Sequence, residues 1–320
     1  MQTTRGGYRV DETEWLEERD IPVVSQCVGR RALQTAVILA VAVIGLIGCG
    51  PPSPEDAERM RQEFVSELPD GLFSEAEAGA NGFHGVVAEG ADAVSVSEHA
   101  WRFIDDELGT VDLESPEDAS LSVLREGADS QEHLAAAVGI LLDDRIAPLV
   151  TDAEPATRVR LDIAPTGELS AGVTSEAQAE LVDAFDATVS ATEQAGLDAT
   201  TVTGSTNAQE MPEVHATVEG PGYGTAGGLV GSVLAAVDSR EFEEAAFVGV
   251  VCSGRNAEVA AYAGAECTVG IDLTHAGGDP HELEAAAGAM HAELSEHYPT
   301  LVTVNDQSTG ETEVQLTPAG

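Results

Sequence analysis

Five short stretches of this chain alternate between apolar and polar residues. That period of two limits the fold more than any other feature. Leu121 and Val123 alternate with serine, and Val159, Leu161 and Ile163 alternate with Arg158, Arg160 and Asp162. The same rule governs Val214, Ala216 and Val218, then Cys267, Val269, Ile271 and Leu273, then Thr312, Val314 and Leu316. One apolar and one polar face indicate half-buried strands, and the expected pairing is antiparallel. Between these runs helical periodicity recurs six times. The six apolar faces are marked by Phe64 with Met60 and Leu68, by Trp101 with Ile104, by Leu134 with Val138, by Phe185 with Leu181, by Val233 with Leu229, and by Met290 with Leu283. Ser53-Pro54-Glu55, Asp129-Ser130, Ser175-Glu176 and Asp279-Pro280 supply helix caps, first-turn acid or a first-turn proline.

Ahead of all this lies an apolar run from Ala32 to Gly48, directly after Arg30 and Arg31. It is short of the roughly 20 residues of a spanning helix. A basic flank, an apolar stretch and a small residue before a cut site make an export signal. Leu46-Ile47-Gly48-Cys49 resembles the lipobox of bacterial lipoproteins. The resemblance implies cleavage after Gly48 and acylation of the Cys49 thiol by a diacylglycerol. Gly50 to Pro54, rich in proline, reads as a short tether.

From Ser120 to Gly204 the elements run strand, helix, strand, strand, helix, strand, and from Glu213 to Asn305 they repeat, with an extra strand from Glu311 to Thr317. Glu55 to Glu114 reads as helix, two strands, helix, strand. This order matches the split β-α-β pattern. The expected fold is α+β: tandem ferredoxin-like (split βαβ) units with antiparallel sheets, after an N-terminal apolar signal helix. The expected segments are 1–48 signal peptide, 49–54 tether, 55–118 an incomplete α+β unit, and 119–209 and 210–320 ferredoxin-like units.

The chain carries 57 acidic residues against 14 basic ones, a formal net charge of -43, and contains no lysine. Such a surface repels nucleic acid, so no nucleic-acid partner is expected. The acid is spread along the chain, as befits solubility in a salty medium. Cys27 falls in the leader and Cys49 would be acylated, leaving Cys252 and Cys267. In an oxidising compartment these two are candidates for a disulfide across neighbouring strands, with buried free thiols as the alternative.

Catalytic signatures are sparse. Gly222, Gly224 and Gly227 form G-x-G-x-x-G after a strand and before a helix, but close packing accounts for them better than a dinucleotide does. His281, His291 and His297 lack the i, i+4 spacing of a helical zinc site, and Asp272, His275, Asp279 and Glu282 around Gly277-Gly278 lack EF-hand spacing. They read as surface histidines and as turn and cap residues. Asp105-Asp106-Glu107 and Asp143-Asp144 point apart on their helices, and Trp101 reads as core. No catalytic residue, metal or cofactor is assigned. The resulting expectation is an exported, lipid-anchored protein at the extracytoplasmic face of the cell membrane, with a non-catalytic binding or scaffolding role and an envelope protein as possible partner. The chain resembles envelope lipoproteins of high-GC Gram-positive bacteria that have no assigned activity. A solute- or cation-binding lipoprotein serving a transporter is the alternative.

Overall fold

The computed structural model describes residues 53–318, apart from 81, 107, 125–129, 154–155, 165, 198–199, 207–211, 221, 239–241, 243, 254–264 and 276–278. The expected signal segment, Leu46, Ile47, Gly48 and the acylated Cys49 lie outside the described residues. No helix among the described residues is long and apolar enough to cross a membrane.

Twelve strands form one sheet in strict sequence order. They are β1 (Phe73–Ala78), β2 (Gly82–Val87), β3 (Thr110–Glu114), β4 (Ser120–Val123), β5 (Thr157–Ile163), β6 (Leu169–Ser175), β7 (Thr200–Thr206), β8 (Glu213–Glu219), β9 (Ala245–Ser253), β10 (Cys267–Leu273), β11 (Thr300–Asp306) and β12 (Glu311–Leu316). Helix α1 (Pro54–Ser66) precedes β1. The crossovers are α2 (Ala93–Asp105) between β2 and β3, α3 (Gln131–Leu141) between β4 and β5, and α4 (Gln178–Gln194) between β6 and β7. Helix α5 (Ala226–Val237) joins β8 to β9, and α6 (Pro280–Leu294) joins β10 to β11. At about 4.8 Å per strand the sheet is roughly 50 Å wide.

This architecture corrects the expected tandem ferredoxin-like units with antiparallel sheets. In a split β-α-β the crossover joins two parallel strands with a third between them. Here each crossover joins immediate neighbours, so β2/β3, β4/β5, β6/β7, β8/β9 and β10/β11 are parallel. The hairpins between them are antiparallel. Strands flanking both expected boundaries pair directly, β3 with β4 and β7 with β8, so the sheet continues through them. Alternation was therefore a signature of one covered face, not of antiparallel pairing. The helices touch in series, α2 with α3, α3 with α4, α4 with α5 and α5 with α6, as a single layer. Strand direction reverses at each hairpin while the helices keep to one face. Successive crossovers consequently alternate in hand, a departure from the usual right-handed rule.

Register explains why the core is continuous. Leu113, Leu121, Leu161, Ala171, Val202, Val218, Cys252 and Cys267 are successive cross-strand partners from β3 to β10. All are buried against the helix layer. At the N-terminal end Phe64, Phe83 and Phe103 pack edge to face or tilted, 5.0–5.7 Å apart. Burying each such ring contributes about 1.5–3 kcal/mol. Helix α1 buries only Phe64, and Met60, expected on its apolar face, is 38% exposed.

Some strand glycines are explained by rings lying over them. A Cβ at Gly204 would sit 2.7 Å from Phe185 Cδ2, and one at Gly85 would sit 2.8 Å from Phe83 Cζ. The sheet's two edges are guarded. β1 carries exposed Glu75 and Glu77 and an irregular register between Phe73 and Glu75, and β12 carries exposed Glu311 and Glu313. Charge and irregular register on an edge oppose strand-by-strand association.

Candidate functional site

Cys252 and Cys267 sit opposite each other on β9 and β10, with Cα atoms 4.1 Å apart, and are joined as a disulfide. Both are fully buried on the helix-covered face. Closing a loop of this length stabilises by roughly 3 kcal/mol in the chain-entropy account.

The glycine fingerprint resolves into a helix seam. A Cβ at Gly227 would collide with Asp186 of α4, including its backbone, and one at Gly231 would lie 3.2 Å from Val182 Cγ1. Gly227 and Gly231, four apart on α5, thus meet Asp186 and Val182, four apart on α4. A Cβ at Gly224 would collide with the Glu193 carboxylate. Two carboxylates of α4 therefore already face the N-terminal end of α5, where a pyrophosphate would have to sit. Across the same region Tyr298 and Thr225 hydroxyls lie 2.7 Å apart, and the Tyr223 and Tyr298 rings 5.4 Å apart. Burial, then the charge of Glu266, raises the Tyr223 phenol above its ordinary value.

The remaining sequence candidates take structural roles. His291 Nε2 lies 2.9 Å from the Thr300 carbonyl, while His281 and His297 are exposed. Asp279 caps α6 by accepting from the His281 amide, Asp272 accepts from Asn305, and His275 meets Ser308. Gly277, Gly278 and Glu107 lie outside the described residues. Asp143 accepts from the Arg145 backbone amide and from its guanidinium at 2.7 and 2.8 Å, which holds its carboxyl below the usual range. Asp106 pairs with Arg102, and Trp101 packs partly buried against the core. Among the described residues no group of three or more His, Cys, Asp or Glu side chains could hold a metal ion.

A cleft of about 90 Å³ lies between the end of α4 and the β8–α5 loop, lined by Thr192, Glu193, Leu197, Val218 and Tyr223. Small-molecule sites typically enclose about 300–1,000 Å³.

The larger feature is the face of the sheet without helices. From β1 to β5 it is charged, bearing Glu75, Glu77, Asp112, Glu114, Arg158, Arg160 and Asp162. From β6 onward two adjacent rows of the same face are uncharged, and the rows beside them carry Glu213 and Asp272 on one side and Glu219 on the other. One cross-strand row reads Thr174, Ser205, His215, Gly249, Gly270, Thr303 and Gln315. The neighbouring row reads Gly172, Thr203, Thr217, Val251 and Thr268. His215, tied to Glu213 at 2.7 Å, is the one titratable group in these two rows. The Phe247 ring lies beside Gly249, 3.0 Å from where its Cβ would be, and 5.3 Å from the His215 ring. A two-row band of hydroxyls and glycines, with the half-buried Phe247 at its margin, thus runs across an otherwise acidic protein.

The polar half of each alternation carried the signal for this band, as in Thr203 and Ser205, but no strand alone shows that neighbours share it. No family model, no curated protein and no solved structure matches the chain, so the assignment of function rests on the residues themselves.

Proposed function

We propose that this is an exported protein, held at the outer face of the cell membrane by an acyl group on Cys49, whose helix-free sheet face binds an envelope partner without catalysing a reaction. The uncharged band is the observation that carries the binding role. In a chain of net charge -43, two adjacent cross-strand rows carry no carboxylate, with Glu213 and Asp272 along one margin and Glu219 along the other. The lipobox at Leu46, Ile47, Gly48 and Cys49 supports the anchor, and the buried disulfide suits an oxidising compartment. Ser53, which caps α1 through the Asp56 amide, stands four residues after Cys49. Four residues reach at most roughly 14 Å, which would hold the sheet close to the bilayer. The 90 Å³ cleft lends the solute-binding alternative little support.

The test is metabolic labelling with an alkyne-tagged palmitate, followed by crosslinking on intact cells. The expected result is label on the mature chain, lost in Cys49→Ser, and crosslinks from residues placed on β6–β8. An intact leader with an unacylated thiol, in protein recovered from cytosol, overturns the reading.

A further inference from the structure

We infer that Asp70 is a self-modifying site: its carboxyl condenses with the Gly71 amide, and the ring reopens as isoaspartate, which loosens α1 from the sheet. The site is the turn that joins α1 to β1. Pro69, Asp70, Gly71 and Leu72 form it, with the Leu72 N–H donating to the Pro69 carbonyl at 3.4 Å. Gly71 has φ +82°. A turn with φ > 0 at its third residue calls for glycine, because a Cβ there would crowd the backbone. Asp70-Gly71 is also the one Asp-Gly step in the chain. Glycine, lacking a Cβ, is the residue that least hinders attack of its own nitrogen on a preceding carboxyl. The conformation of the turn therefore imposes the most reactive neighbour an aspartate can have. Nothing restrains the pair. Both residues are exposed, and among the described residues the Asp70 carboxyl has no hydrogen bond or ion pair and the Gly71 N–H has no acceptor. By contrast Asp92 and Asp279 cap helices, and Asp143 and Asp162 hold arginines.

The chemistry needs water alone. The Gly71 nitrogen attacks Asp70 Cγ, the N–Cγ bond forms, and the carboxyl hydroxyl leaves with the amide proton as water. Water then adds to one of the two ring carbonyls. Opening at Cγ restores aspartate, and opening at the original peptide carbonyl leaves the chain linked through Cγ. One water is lost and one regained, so the mass is unchanged. The isoaspartyl product carries one extra main-chain carbon, about 1.5 Å of chain. On one side of the insertion Leu72 is buried, and its carbonyl accepts from the Ala88 N–H at 3.1 Å. On the other side α1 is lightly held. Of its residues only Phe64 is buried, Arg61 Nε donates to the Leu108 carbonyl at 2.7 Å, and Glu67 meets Arg102 at 2.9 Å on the surface. Surface pairs of that kind add little, so the sheet keeps its register and the helix gives way.

The experiment is incubation of the detergent-solubilised full chain at neutral pH over days. Electron-transfer fragmentation locates isoaspartate, and trypsin times cleavage after Arg61. Isoaspartate should accumulate at Asp70 severalfold faster than at Asp112, which lies within β3. It should be absent at that position in Asp70→Glu, which keeps the glycine. It should be slowed severalfold in Gly71→Asn, because asparagine tolerates φ > 0 while its side chain hinders the attack. Aged protein should be cut after Arg61 severalfold faster than fresh protein, and aged Asp70→Glu at the fresh rate. Melting curves identify a variant that fails to fold, and the other then decides. No isoaspartate at Asp70, or accumulation no faster than at Asp112, overturns the inference. So does accumulation with cleavage after Arg61 unchanged, since α1 would then have stayed docked. Neither the step nor its test involves Cys49, so the inference stands or falls apart from the proposed anchor.

Discussion

The two faces of this sheet are made by the same strands and obey opposite rules. Toward the helices, Leu121, Leu161, Val173 and Val248 interlock with side chains such as Phe185 and Leu134, all nearly inaccessible to water. Away from the helices, Thr203 and Thr174 stand exposed, and the exposed Arg160 forks onto the Asp162 carboxylate. The covered face holds the fold together because burial there removes apolar area from water and fills space at close-packed density. The bare face contributes little to stability, so its composition is open to be set by what it meets. Glycine does not simply follow the face: Gly204 on the covered side and Gly82 on the bare side have no room for a methyl group, while Gly172 and Gly270 on the bare side have ample room.

That contrast is broken most directly at Phe185. Phe185→Ala removes a fully buried ring and uncovers Gly204, and should cost about 3–5 kcal/mol in urea unfolding. Replacing Cys252 and Cys267 together by alanine should cost roughly 3 kcal/mol, with wild type in reducing agent falling to a similar value. Gly227→Ala drives a methyl into the backbone of α4 and should cost about 1–3 kcal/mol by the same assay. If it proves neutral, the α4–α5 seam is looser than described.

Smaller effects sharpen the comparison. The Arg145 guanidinium depresses the Asp143 pKa, so this pair contributes stability above the unfolded carboxyl value near 4 and loses it as pH falls through the lower folded value. Asp143→Asn should therefore differ from wild type at pH 6–7, by less than about 1 kcal/mol for a pair partly open to water, and converge with it in acid. Thermal melts across pH 2–7 measure this. Smallest of all, Thr217→Val on the bare face should shift stability by no more than about 0.5 kcal/mol. A large loss there would mean that the bare face is part of the core.

Much of the fold was legible in the residues. Helix positions, caps such as Ser53 and Asp279, and the alternation of β5 or β10 depend on neighbours within a few positions, and local chemistry decides them. The split β-α-β reading failed at the next step. It took Val159, Leu161 and Ile163 as evidence of antiparallel neighbours, yet β5 has a parallel partner on one side and an antiparallel one on the other. Period two reports which face is buried and carries no information about the direction of the adjacent strand. The glycine motif was legible only as close packing, since the partner helix that crowds Gly227 lies some forty residues away. The uncharged band was legible only strand by strand, in the polar half of each alternation, because its residues come from separate strands and meet only through register.

By itself, then, the sequence determined the kinds of element, their order and the buried side of each, because these follow from short-range sterics and the removal of apolar side chains from water. It also supplied the two cysteines and the stretch Leu46-Ile47-Gly48-Cys49 that resembles a lipobox. Only the tertiary structure decided that the strands pair in chain order as one sheet, that Cys252 faces Cys267, and that Thr203, His215 and Gly270 share one surface. Strand pairing joins residues distant along the chain, and it is settled by the geometry of the whole layer.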